Sequence, residues 1–168
     1  MLETQGELDI GFEPVAASPD VIHLLQADHR QLLQLFDEHE SLIDADAPPA
    51  WREELAWQIC TLLEVHSVIE DEIVYPAVRN AVACSRLVDV ATIEHAAAHA
   101  LMSEIQGLTG SDALFDARVT VLGRHVRLHI AQEENELLPL LLRCGEDLQA
   151  LGRQLLQRHQ ELLALLHR

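Results

Sequence analysis

The sequence predicts an all-α fold, an up-down-up-down four-helix bundle with an additional C-terminal helix. Three observations predict it. Apolar residues recur at three- and four-residue spacings along most of the chain, and no segment alternates as a strand would. The connections between these periodic stretches are short, which favours antiparallel neighbours. Finally, 168 residues that are 49% apolar suit one domain with an ordinary buried core.

Residues 1–17 carry Gly6, Gly11 and Pro14 without lasting periodicity and read as an arm. Ser18-Pro19-Asp20 offers a capping hydroxyl, a proline for the first helical position and an acid for the first turn, so a first helix is expected over about Pro19–Asp44. After a turn at Ala45–Pro49, a second helix runs from about Ala50 until Pro76 kinks or ends it, with a short continuation toward Ala83. A third spans about Ser85–Leu108 and is closed by Gly110. Ser111-Asp112 can cap a fourth that reaches about Leu142, with Pro139 disturbing its final turns and Gly145 ending it. The spacing of Leu148, Leu151, Leu155, Leu162, Leu165 and Leu166 gives a fifth, packed outside the bundle or offered to a partner. The expected division is an arm over 1–17, the bundle over 18–144 and the C-terminal helix over 145–168.

The net charge of −17 sets 28 acidic residues against eleven basic ones, all Arg, and disfavours a nucleic-acid partner. No stretch approaches the ~18 consecutive apolar residues of a membrane helix, and Met1 to Pro14 is acidic where a secretory signal would be basic and then apolar. A cytoplasmic protein with no membrane association is expected. The odd number of Cys, without metal-ligand spacing, reads as reduced thiols.

Histidine carries the information, at ten copies. His66, Glu70 and Pro76 on the second helix recur at identical offsets as His129, Glu133 and Pro139 on the fourth, and His29 and His95 precede these sets by nearly the same interval. Residues four apart share a helix face. Two such hairpins about a pseudo-twofold axis would bring four His and two Glu to one level of the bundle. All six lie in phase with aliphatic residues, and burying them without partners would cost several kcal/mol. A shared cation cluster compensates them most simply. Imidazole and carboxylate donors without thiolate favour iron, with manganese or zinc as substitutes. By helical phase, Asp28 and Glu94 read as surface acids, Tyr75 as a core residue, His125 as a supporting or packing residue, and His23, His39, His159 and His167 as solvated.

The runs DHR at Asp28–Arg30, HSVIEDEIVYPAV at His66–Val78, EHAAAHALMSEI at Glu94–Ile105 and HIAQEENELLPLL at His129–Leu141 resemble the hemerythrin HHE cation-binding domain family over about residues 20–142. The resemblance implies an oxo- or hydroxo-bridged di-iron centre. In it Glu70 and Glu133 bridge, His29 and His66 serve one iron, and His95 and His129 serve the other. Oxygen carriers of this kind add a second His on the third helix, which is His99 here, either a ligand or a support to one. They place Asp five residues after the His of the fourth helix, where this chain has Glu133 four after, with Glu134 as a competing choice.

Three functions follow from that resemblance. The first is binding or sensing of dioxygen, nitric oxide or iron. The second is an enzyme that decomposes peroxide or reduces nitric oxide. The third is an interaction protein whose metal orders the bundle and whose C-terminal helix meets a protein partner or a second copy.

Overall fold

Asp20 begins the first helix: its side chain accepts the backbone N–H of His23 at 2.9 Å, so α1 runs over Val21–Asp44. The structure, a computed structural model, describes residues 19–81, 86–143 and 145–166, which leaves the expected arm, Ser18 and His167 outside. α2 covers Pro49–Ile69, with proline in its first turn. Here the chain departs from the simple kink expected at Pro76. A π-helical turn over Glu70–Val74 joins α2 to α3, Tyr75–Ala81, and the Tyr75 N–H bonds the Glu70 carbonyl. The wider turn takes up the place where Pro76 has no N–H to give.

The second half repeats the device. α4 covers Arg86–Gln106 and α5 covers Phe115–Gln132, followed by a π turn over Glu133–Leu137 and by α6, Leu138–Arg143, with Pro139 as its second residue. The expected cap at Ser111-Asp112 is not used. Asp112 turns back to accept from the backbone and hydroxyl of Thr109, and α5 starts three residues later without a side-chain cap. Gly145, at φ +80, takes the left-handed conformation that ends α6. α7, Leu148–Leu166, starts on Asp147, which accepts from the N–H groups of Gln149 and Ala150.

The described residues are all-helical, and α7 lies against α1 and α2 on the outside of the bundle. The apolar interior is divided in two. One cluster, at the end where both π turns lie, holds Leu25, Ile69, Val74, Val88, Leu137 and Leu141, and α7 adds Leu151 and Leu155. The other, toward the far end, holds Leu32, Phe36, Ile59, Leu63, Met102, Leu122 and Val126. On α1, α2 and α4 the candidate ligand sits between a residue of one cluster and a residue of the other, and on α5 His129 follows Val126 of the far cluster, with Leu137 of the other cluster coming in the π turn beyond it.

Candidate metal centre

Between the two apolar clusters lies a layer of six buried polar side chains. His29, His66, Glu70, His95, His129 and Glu133 are each no more than 5% exposed. α1 supplies His29 and α4 supplies His95; each π turn opens on a glutamate one helical turn beyond the histidine of α2 or α5. His66 Nε2 stands 3.2 Å from Glu70 Oε2, and its counterpart His129 Nε2 stands 3.4 Å from Glu133 Oε2. The halves also meet across the axis: His95 Nε2 lies 3.3 Å from Glu70 Oε2, and His29 Nε2 lies 3.4 Å from Glu133 Oε2.

The paired imidazole and carboxylate atoms are close without a hydrogen bond between them, while His95 Nε2 and His129 Nε2 stand 3.2 Å apart within hydrogen-bonding reach of each other. His29 Nε2, His66 Nε2, both Glu70 oxygens and Glu133 Oε2 are buried with no hydrogen-bond partner. Orphaned buried polar atoms are costly and rare, and here they converge. The donors form two groups, His29, His66, Glu70 and Glu133, and Glu70, His95 and His129, in each of which the ligand atoms lie within 4.8 Å of one another. Bonds of about 2.1 Å at right angles set neighbouring ligand atoms about 3 Å apart, so the spacing fits cations shared among these side chains. No thiolate takes part, which suits iron, manganese or zinc bound through N and O.

Burial alone would push the histidines toward the neutral form, but the glutamates override it. Glu133 and Glu70 lift His29 to about 10, and Glu70 and Glu133, helped by Glu94, lift His129 to about 9. His95 is also raised against its burial, chiefly by Glu70. Glu70, although buried, is held well below the usual carboxylate range by His66, His129, His29 and His95. The glutamates thus hold protons on His29, His95 and His129 against the cost of burial.

Several residues stand elsewhere than their spacing implies. His99 is not brought to the six: its Nδ1 lies 3.0 Å from Glu64 and its Nε2 3.3 Å from Ser67, on the flank of α2 and α4. Of the two candidate acids on the fourth helix, Glu133 enters the layer, and Glu134 lies behind it with Oε1 2.9 Å from His29 Nδ1. Asp28 and Glu94 are not simple surface acids. Asp28 Oδ2 lies 3.8 Å from His66 Nδ1, and Glu94 Oε2 lies 2.7 Å from His129 Nδ1. Asp71, which drew no attention in the sequence, lies 3.2 Å from His95 Nδ1.

Tyr75 lies in the buried core, as its spacing implies, and its hydroxyl in addition reaches the layer. Its hydroxyl donates to Glu133 Oε1 at 2.7 Å, its oxygen is 3.1 Å from His95 Nε2, and its ring stacks on His95. The π turn accounts for it. With one extra residue in the turn, the fifth residue after Glu70 reaches the face that an unbroken α-helix gives to the fourth. Burial and then the charges of Glu70 and Glu133 push the phenol's pKa upward, so it stays protonated.

His125 Nε2 meets the Glu94 carbonyl at 2.9 Å, a packing role. His39 is not solvated. It continues the stripe Val21, Leu25, His29, Leu32, Phe36 and is 1% exposed beside Asp116, with its pKa lowered by burial. His159 of α7 is half-buried and lines a small pocket with Asp28 and His66, whereas His23 is solvated as expected.

The layer is thus built of two mirrored hairpins, six donors and one glutamate common to both groups. A search of curated proteins finds no match. Among solved structures, a hemerythrin HHE cation binding domain-containing protein from Mycobacterium kansasii is similar, with a TM-score of 0.71 and 21% identity over 86% of this chain and 87% of that one. The sequence model of the hemerythrin HHE cation binding domain matches residues 20–141, the span from the start of α1 to α6 that carries both hairpins and every donor. With its metal-binding layer built in this way, the chain belongs to the hemerythrin HHE cation-binding domain family.

Proposed function

We propose that this chain holds two non-haem iron ions in the polar layer and uses them to bind or sense a small oxidant, dioxygen first among them. The observation that carries this reading is Glu70, which belongs to both donor groups and so can join two cations rather than enclose one. His29, His66 and Glu133 complete one position, and His95 and His129 the other. Iron held by these residues would supply reversible one-electron chemistry toward a small molecule.

The protein's own contribution is enclosure, geometry and proton supply. The apolar clusters above and below the layer keep bulk water out. A pocket lined by Leu63, Ala98, Val126 and Ile130 also touches His66, His95 and His129, and its volume of about 10 Å³ is close to the least that holds one water-sized molecule, so a larger ligand needs the side chains to move. Tyr75, whose hydroxyl is the one phenol at the layer, holds a proton against Glu133 Oε1. None of these groups forms a separate nucleophile and base, which favours binding and sensing over a hydrolytic or transfer activity. Among the described residues no helix is long and apolar enough to cross a membrane.

The test is anaerobic loading with ferrous iron. Two equivalents per chain, followed by an absorption change that appears with air and disappears on its removal, supports the reading. Uptake of one equivalent, or of none, overturns it. Fast consumption of added peroxide with no reversible change in air would move the assignment to the peroxide-decomposing enzyme.

A further inference from the structure

The four histidines of the layer each turn their second ring nitrogen toward a carboxylate, and these carboxylates follow the same pseudo-twofold as the ligands. Asp28, just before His29, faces His66 Nδ1 at 3.8 Å, and Glu94, just before His95, faces His129 Nδ1 at 2.7 Å. These two act within a hairpin. The other two cross between hairpins: Asp71, just after Glu70, meets His95 Nδ1 at 3.2 Å, and Glu134, just after Glu133, meets His29 Nδ1 at 2.9 Å.

We infer that Asp28, Asp71, Glu94 and Glu134 are positioning residues, one for each imidazole, that fix the rings for metal and tie the two hairpins together through them. A carboxylate accepting from Nδ1–H holds the ring so that the bare Nε2 faces the layer, and it makes that nitrogen a better donor. All four acids are partly or largely exposed, so they do little for the hydrophobic core. Each costs nothing extra in topology, because it is the chain neighbour of a residue already committed to the layer.

The contacts also order the four. Glu94, at 2.7 Å, should matter most, and Asp28, at 3.8 Å from a His66 Nδ1 that has no hydrogen-bond partner, least. The inference rests on the metal-binding reading above, and the experiment separates the two.

Cobalt(II) is titrated into the full chain and into Glu94→Ala, Glu94→Gln, Glu134→Ala, Asp71→Ala and Asp28→Ala, with Glu64→Ala as a control outside the layer. Affinity, the visible cobalt spectrum and the melting temperature of the metal-free form are recorded. Outer carboxylates of this kind change metal affinity by about 10- to 100-fold, so Glu94→Ala and the crossing pair should lose about that much and shift the cobalt bands. Glu94→Gln, which keeps an acceptor without the charge, should fall between wild type and Ala. Asp28→Ala should lose least, and Glu64→Ala should match wild type. If wild type binds cobalt and every Ala variant stays within twofold of it, the positioning role is wrong. A loss by Ala variants that is fully explained by melting of the metal-free fold, with Glu94→Gln indistinguishable from wild type, also overturns it. Failure of the wild type to bind cobalt would instead overturn the metal-binding reading.

Discussion

The histidines of this chain fall into classes that differ in what surrounds them. His66 and His129 each stand one helical turn from a buried glutamate, while His23 and His99 meet acids in or near solvent. His66→Ala or His129→Ala should therefore abolish tight binding of at least one metal equivalent, and His23→Ala or His99→Ala should leave the stoichiometry intact, as read by elemental analysis after gel filtration. Equal losses in all four would discredit the assignment. The raised pKa values give a pH dependence as well. His29 and His129 hold protons up to about 10 and about 9, above the ordinary 6.5, so the stabilisation those protons bring is complete below pH 6.5 and is lost as pH rises through 9 and 10. The metal-free protein should thus melt at a lower temperature at pH 10 than at pH 7. Cobalt must displace the same protons, and its affinity should rise over that interval. An affinity independent of pH would mean that the imidazoles do not bind it.

At the scale of the element, the helices were legible because prolines, glycines and apolar spacing agree in the sequence, although the caps shift, with Asp20 capping α1 and Ser111-Asp112 capping nothing. The ligands were legible because the His and Glu offsets repeat. Tyr75 and Asp71 were not, since a uniform helix of 3.6 residues per turn is the wrong ruler once a π turn intervenes, and nothing in the spacing of His66, Glu70 and Pro76 distinguishes a π turn from a kink. Asp28 and Glu94 were misread for a different reason. A side chain about 100° from its neighbour on one helix can still reach a ring on the next, and helical phase alone is blind to that. His39 hid because polar residues are assumed to face water, although its spacing continues the buried stripe. The seating of α7 offers an element-scale test. A Cβ at Gly152 would come within 2.5 Å of the Pro19 carbonyl oxygen, backbone that cannot swing aside. Gly152→Ala should push α7 from the start of α1 and destabilise the chain by about 1–3 kcal/mol, measured by urea denaturation. Unchanged stability would show that α7 sits more loosely than this.

For the whole molecule, the division of the core into two apolar clusters makes the polar layer a weak plane until a cation fills it. Orphaned carboxylate and imidazole atoms there are the part of the fold with most to gain from a ligand. Metal that binds the folded chain alone adds about 2.7 kcal/mol at a hundredfold excess over its dissociation constant, so melting temperature should climb with free metal concentration and drop on adding a chelator. A melting temperature indifferent to both would place the cations outside the folded core. The net charge of −17 works in the opposite sense, through repulsion spread over the surface. Added salt should therefore steady the metal-free form.

The two π turns have one more consequence. Each behaves as a single surplus residue stored in an otherwise regular rod, at the level where α2 and α5 hand over to α3 and α6. Removing one amino acid from 71–74 would let the rod anneal into a plain helix, and everything after it would keep the face it holds now, because the fourth residue of an α-helix stands where the fifth stands across a π turn. The stack on both sides of the cut would keep its register and the phenol would stay in the chamber, so a deletion of one residue here is absorbed, whereas an insertion would turn the following segment away.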